Sequence, residues 1–186
     1  MIRILRVMAQ REFSPRVSGR SRLASDRPGQ EPAALAGAIA NGVSNAGLSR
    51  LASTEGSGLL PGGRVHPVVE AQIGRLRGAG ASLHSAARAR IEPLVGDSLG
   101  DVRVHDGPAA DSLARSVQAR AFTTGRDLFF ARGEYRPGTA RGDQLLAHEL
   151  THVVQQRGAP VSGPLTVTEP GDRFEREADR TADGVD

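Results

Sequence analysis

The 186-residue chain contains no cysteine, which excludes disulfides and thiolate metal sites. A transition metal held by its side chains must therefore use imidazole and carboxylate. Lysine is absent too, so all 24 basic residues are arginine, and tryptophan is missing beside one tyrosine and five phenylalanines. Only Phe13 among the aromatics lies in the basic part of the chain, so there is no arginine–aromatic interleaving of the kind that grips nucleic acid, and no specific nucleic-acid partner is expected. No window reaches the ~18 apolar residues that a membrane span needs. The apolar stretch from Met1 to Ala9 is broken by Arg3 and Arg6 and is followed by no small-residue cleavage pattern, which makes it a poor signal peptide.

The formal net charge of +3 averages two unlike parts. Residues 1–80 carry 11 arginines against 5 acids, whereas residues 81–186 carry 13 against 16. The first part is rich in Gly, Ser and Ala and reads as a basic, largely disordered leader or linker. Within it, residues 31–53 are Ala-rich enough for a short helix interrupted by Gly37, Gly42 and Gly47, and residues 54–63 read as a linker. The second part holds five of the six aromatics and reads as the folded domain, residues 81–186.

Along that domain, Leu83, Ala87, Ile91 and Leu94 recur at helical spacing, with Pro93 and Gly96 ending the run. Val102 and Val104 alternate with polar neighbours as a short strand. Asp106-Gly107-Pro108 then turns into a helix carrying Ala110, Leu113, Ala114 and Val117. Residues 120–131 form a hairpin signal around Thr124-Gly125-Arg126-Asp127. A strongly patterned helix runs from about Ala140 to Gln156, with Gly158 as its stop, and a short helix lies near the C-terminus. This is an α+β plan, with a small sheet packed on the longest helix.

The longest helix contains His148-Glu149-Leu150-Thr151-His152, an H-E-x-x-H motif. Residues four apart project from one helix face, so two neutral imidazoles can hold one Zn²⁺ while a glutamate one step along reaches the water that the metal activates. With His148 at the origin of a helical wheel, His152 falls at about 40° and the apolar arc of Leu146, Ala147, Leu150, Val153 and Val154 lies opposite. Both histidines and Glu149 should then face away from the helix's own core contact.

A third ligand is required. A metzincin would place Gly three and His six residues after the second histidine, but Gln155 and Gly158 stand there. Downstream, Glu175-Arg176-Glu177-Ala178-Asp179 is similar to the E-x-x-A-D run of gluzincins. That likeness implies Glu175 as third ligand and Asp179 as the carboxylate that orients a ligand imidazole. On the wheel Glu175, Ala178, Asp179 and Ala182 share one face, while Glu177 lies among Arg173, Arg176 and Arg180 and is set aside. Asp172 with Glu175 is also a capping box, which gives Glu175 a purely structural alternative.

Several segments in order are similar to one family. Val102-Arg103-Val104-His105, Ala121-Phe122-Thr123-Thr124-Gly125-Arg126-Asp127-Leu128-Phe129-Phe130 and Leu146 to Gln156 resemble the core domain found with bacterial extracellular contractile injection systems. The resemblance implies a zincin-like metallopeptidase module of gluzincin type. A peptide or protein is its implied substrate and components of the injection particle its implied partners. It further implies a bacterial cytoplasmic protein that is loaded into, and exported by, that particle. The implied activity is hydrolysis of peptide bonds, with Glu149 as proton carrier. The alternative is an interaction or cargo module that keeps the zincin scaffold without catalysis. His105 and Tyr135 are candidate stabilisers of a developing oxyanion, each with a structural alternative, in strand and in loop packing respectively. His66 and His84 show no ligand spacing.

Overall fold

The computed structural model describes residues 5–7, 58–157, 164–167 and 171–185. The Ala-rich stretch 31–53, most of the expected leader and the expected helix stop at Gly158 lie outside the described residues.

Among the described residues, five α-helices and six short strands make an α+β unit. The strands are β1 (Leu5–Val7), β2 (Ala81–Ser82), β3 (Arg103–His105), β4 (Ala121–Thr124), β5 (Asp127–Phe130) and β6 (Leu165–Val167). The helices are α1 (Pro67–Leu76), α2 (Ser85–Val95), α3 (Pro108–Ser116), α4 (Ala140–Gln156) and α5 (Arg173–Asp183). A four-stranded sheet has the order β2-β3-β5-β4, with β3 and β5 parallel and the other pairs antiparallel. β1 and β6 form a separate antiparallel ribbon.

The central hairpin follows from its turn chemistry. Gly125 adopts φ 61° at the first central position of a two-residue loop, where a primed turn matches the twist of the flanking strands. Gln156, at the end of α4, accepts from the Gly125 amide at 2.7 Å, so the turn is tied to the helix that crosses the sheet.

Alternation along the hairpin divides the core in two. Ala121, Leu128 and Phe130 meet Leu146, Ala147, Leu150 and Val153 of α4 and Ala87 and Ile91 of α2. Phe122 and Phe129 turn the other way, onto Leu113 and Ala114 of α3 and Val69 and Ile73 of α1. The sheet is covered on both faces. Fully burying one of these large side chains stabilises the fold by roughly 1.5–3 kcal/mol, so the pattern of apolar residues fixes which face meets which helix.

Three features differ from the sequence reading. Residues 58–77, expected within the leader and linker, pack on the second core. Val65, Val69 and Ile73 are buried there, His66 accepts from the Val68 amide to cap α1, and Gly58 sits against Ser116 where a Cβ would lie 2.5 Å from a backbone oxygen. Pro93 lies inside the last turn of α2 instead of ending it, and Gly96 at φ 70° makes the stop. Glu149 does not share the histidines' side, away from the helix's core contact: α5 covers His148 and His152, whereas Glu149 meets Thr123 of the sheet, and all three are buried.

The register of α4 is fixed at its start. The Thr139 hydroxyl accepts from the Gly142 amide at 3.1 Å, and a Cβ at Gly142 would stand 2.0 Å from the Arg136 carbonyl oxygen, so only glycine fits. One turn on, buried Asp143 takes Arg90 of α2 on one carboxylate oxygen and the Gly138 amide on the other. These contacts set the helix whose later turns carry the site.

Candidate metal centre

α4 presents His148 and His152 one turn apart, and α5 brings Glu175 against them. Asp172 starts α5 by accepting from the Phe174 and Glu175 amides at 2.8 and 2.9 Å, which is the capping expected from the sequence. The Glu175 side chain nevertheless faces the histidines. Its carboxylate oxygens lie 3.5 Å from His148 Nε2 and 3.9 Å from His152 Nε2. The two Nε2 atoms are 3.0 Å apart, and one ligand atom from each of the three buried residues falls within 4.8 Å of the others.

The hydrogen bonds around the rings decide what this cluster lacks. Asp179 Oδ1 lies 3.1 Å from His148 Nδ1, and Gln155 Oε1 lies 2.6 Å from His152 Nδ1. Both partners are acceptors, so each ring carries a proton on Nδ1, and the Nε2 atoms of the two rings face each other across the cluster. Two imidazole nitrogens and a carboxylate converge, an arrangement that attracts a positive charge to the centre. The cluster can hold a metal ion, and its two imidazoles and one carboxylate are ligands that suit a divalent transition metal.

Electrostatics agree with that need. Burial, reinforced by the His148 charge, pushes His152 down to about 3, so this imidazole stays neutral. For His148, burial disfavours the charged form, but Glu175, Glu149 and Asp179 together outweigh it and raise the ring above its ordinary value. Without a metal, a proton on His148 is the positive charge that the cluster attracts.

Glu149 lies on the sheet side of α4 and is fully enclosed. Its Oε2 accepts from the Thr123 hydroxyl at 2.6 Å, while Oε1 is a buried atom with no partner. Burial pushes this carboxyl up to about 7, against the lowering effects of the His148 charge and the Thr123 hydrogen bond. A cleft of about 360 Å³ opens beside the cluster, with His148 and Asp179 on its wall and Arg120, Arg141 and Gln144 around it.

His148, Glu149, His152, Glu175 and Asp179 are thus brought together. His105 and Tyr135 have their contacts elsewhere. His105 Nε2 is 2.8 Å from Asp127 and its ring stacks on Phe129 at 4.3 Å, on the sheet face that meets α3. The Tyr135 hydroxyl accepts from the His84 amide at 3.3 Å and its ring packs on Phe130. Thr123 and Gln155 were missed by sequence reasoning. Gln155 stands three residues after His152 and carried a legible signal in that spacing, whereas Thr123 is 26 residues from Glu149 and carried none.

Comparison with known proteins adds one finding. Residues 82–160 match the family model of the eCIS core domain. The matched segment carries the sheet and α4 with both histidines, and it stops before α5 and Glu175. No curated protein and no solved structure gives a significant match to the chain. Among the described residues no helix is long and apolar enough to cross a membrane.

Proposed function

We propose that this protein is a zinc-dependent metallopeptidase of gluzincin type that serves a bacterial contractile injection system. The observation that carries the reading is the convergence of His148, His152 and Glu175 with Glu149 beside them. The eCIS core match supports the association with an injection particle, whose components are then the partners. On this reading the protein resides in the bacterial cytoplasm until it is loaded into the particle and exported.

His148, His152 and Glu175 hold the ion, and Asp179 orients the first ring. When bound, Zn²⁺ supplies Lewis-acid polarisation of the scissile carbonyl and acidifies the attacking water. Glu149 would serve as the carboxyl that accepts a proton from the attacking water and returns it to the leaving amine, a task for which a carboxyl near neutrality is suited. The Thr123 hydroxyl holds Glu149 Oε2, which leaves Oε1 as the atom that exchanges the proton.

A second reading is a cargo or interaction module that keeps the scaffold without turnover. The complete enclosure of Glu149 favours it, since a general base must meet substrate water. Metal analysis and one variant separate the two. Protein purified without chelator should carry about one zinc per chain, and peptide cleavage should disappear in Glu149→Gln with zinc retained. Zinc with no cleavage of any peptide library leaves the module reading; no zinc even after reconstitution removes the metal centre itself.

A further inference from the structure

The exposed residue Glu177, set aside by the helical wheel, reaches the metal centre through one intermediary. Gln155 Nε2 donates to Glu177 Oε2 at 2.9 Å and to the Phe174 carbonyl oxygen at 3.2 Å. Both of those groups can only accept, so the amide nitrogen must face them. Its oxygen is left for His152 Nδ1 at 2.6 Å, and an acceptor there requires the proton on Nδ1. His152 Nε2 must then be the unprotonated nitrogen, 3.0 Å from His148 Nε2 and 3.9 Å from Glu175.

We propose that Gln155 and Glu177 form a positioning relay that selects the metal-binding tautomer of His152 and ties it to the docking of α5. The inference rests on the metal centre proposed above. The relay works in two directions. α5 supplies Glu175 to the cluster and, two residues later, Glu177 to the amide, so one helix placement satisfies a ligand and orients the other helix's second imidazole. The two histidines are also served unequally. Asp179 gives His148 a charged acceptor, whereas Gln155 gives His152 a neutral one.

The test uses the full chain and has a readout independent of catalysis. Nitrogen-15 NMR of the imidazoles, at a pH where His152 is neutral, should show it protonated at Nδ1 before any metal is added. Gln155→Met removes the acceptor and should weaken zinc binding about tenfold to a hundredfold, with the helix content of the parent. Glu177→Gln keeps an acceptor for the amide and should bind zinc within about twofold of the parent. Glu177→Lys removes one of the two acceptors that hold the amide nitrogen and leaves the Phe174 carbonyl alone to orient it, so its zinc affinity should fall part-way toward that of Gln155→Met. A parent His152 protonated at Nε2, or a folded Gln155→Met with parental zinc affinity, overturns the relay. If the parent binds no zinc, the metal reading fails by itself, and the tautomer found by NMR still decides whether Gln155 sets it.

Discussion

The Thr123 hydroxyl lies 2.6 Å from Glu149 Oε2 and 3.1 Å from the Glu149 carbonyl oxygen, so one strand residue holds both ends of the residue proposed to move the proton. Thr123→Val keeps the shape and removes the donor. Glu149 would then have neither carboxylate oxygen partnered in a fully enclosed site, because Oε1 has no partner in the parent. The expected cost is about 1–3 kcal/mol of stability, read from chemical denaturation. The same variant should lower peptide cleavage more than zinc binding, since Thr123 touches no ligand. Unchanged stability would show that the hydroxyl contributes nothing net.

His105 offers a contrast that separates fold from site. It pairs with buried Asp127, which also accepts from the Gly78 amide at 2.7 Å, and it stacks on Phe129. His105→Leu leaves the Asp127 carboxylate short of one partner and should cost about 1–3 kcal/mol. Zinc stoichiometry should be unchanged, because the ring packs on the face away from α4. A loss of zinc from a folded His105→Leu protein would place this residue in the metal site after all.

How much of this was legible without coordinates depends on the range of each interaction. α4 was legible from end to end because its apolar period and its paired histidines all lie within seventeen residues. The hairpin was legible from Gly125. Residues 58–77 were not, because Val69 and Ile73 sit in a Gly-rich stretch whose composition masks a helix of ten residues. The wheel put Glu175 and Asp179 on one face, and both meet His148; it put Glu177 on the exposed arginine side, where this residue bonds Gln155 across the helix rim, a contact that a wheel does not report. It did mislead at Glu149, which meets the sheet at Thr123 instead of sharing the histidines' side, because a wheel shows a helix without the partners that surround it.

The Arg120–Glu134 pair gives a pH dependence with a definite sign. Arg120 donates to Glu134 Oε2 from two nitrogens, at 3.0 and 2.5 Å, beside the cleft that adjoins His148. These bonds are the main reason that the Glu134 carboxyl sits below its ordinary value. A carboxylate depressed in the folded state stabilises above the unfolded value, and that contribution is lost as pH falls through the depressed one. Both side chains are partly exposed, so the contribution at neutral pH is about 0.2–1 kcal/mol. Glu134→Gln should therefore be less stable than the parent at pH 7 and converge with it in acid. A gap that persists once the carboxyl is protonated would assign the effect to packing.

Zinc itself should stabilise the fold through α5. Neighbouring ligands on α4 and a third on α5 mean that an ion bound by all three opposes separation of the helices. An ion that binds only the native state adds stability in proportion to the logarithm of its excess, about 2.7 kcal/mol at a hundred times its dissociation constant. For a folded unit of this size that is a rise of roughly 5–20 °C in melting temperature. Glu175→Ala should remove most of the rise while leaving both histidines in place, and Asp179→Asn should reduce it by weakening the hold on His148 Nδ1. Chelator should return the parent to its metal-free midpoint, and a midpoint that ignores zinc and chelator alike would rule out an ion bridging α4 and α5.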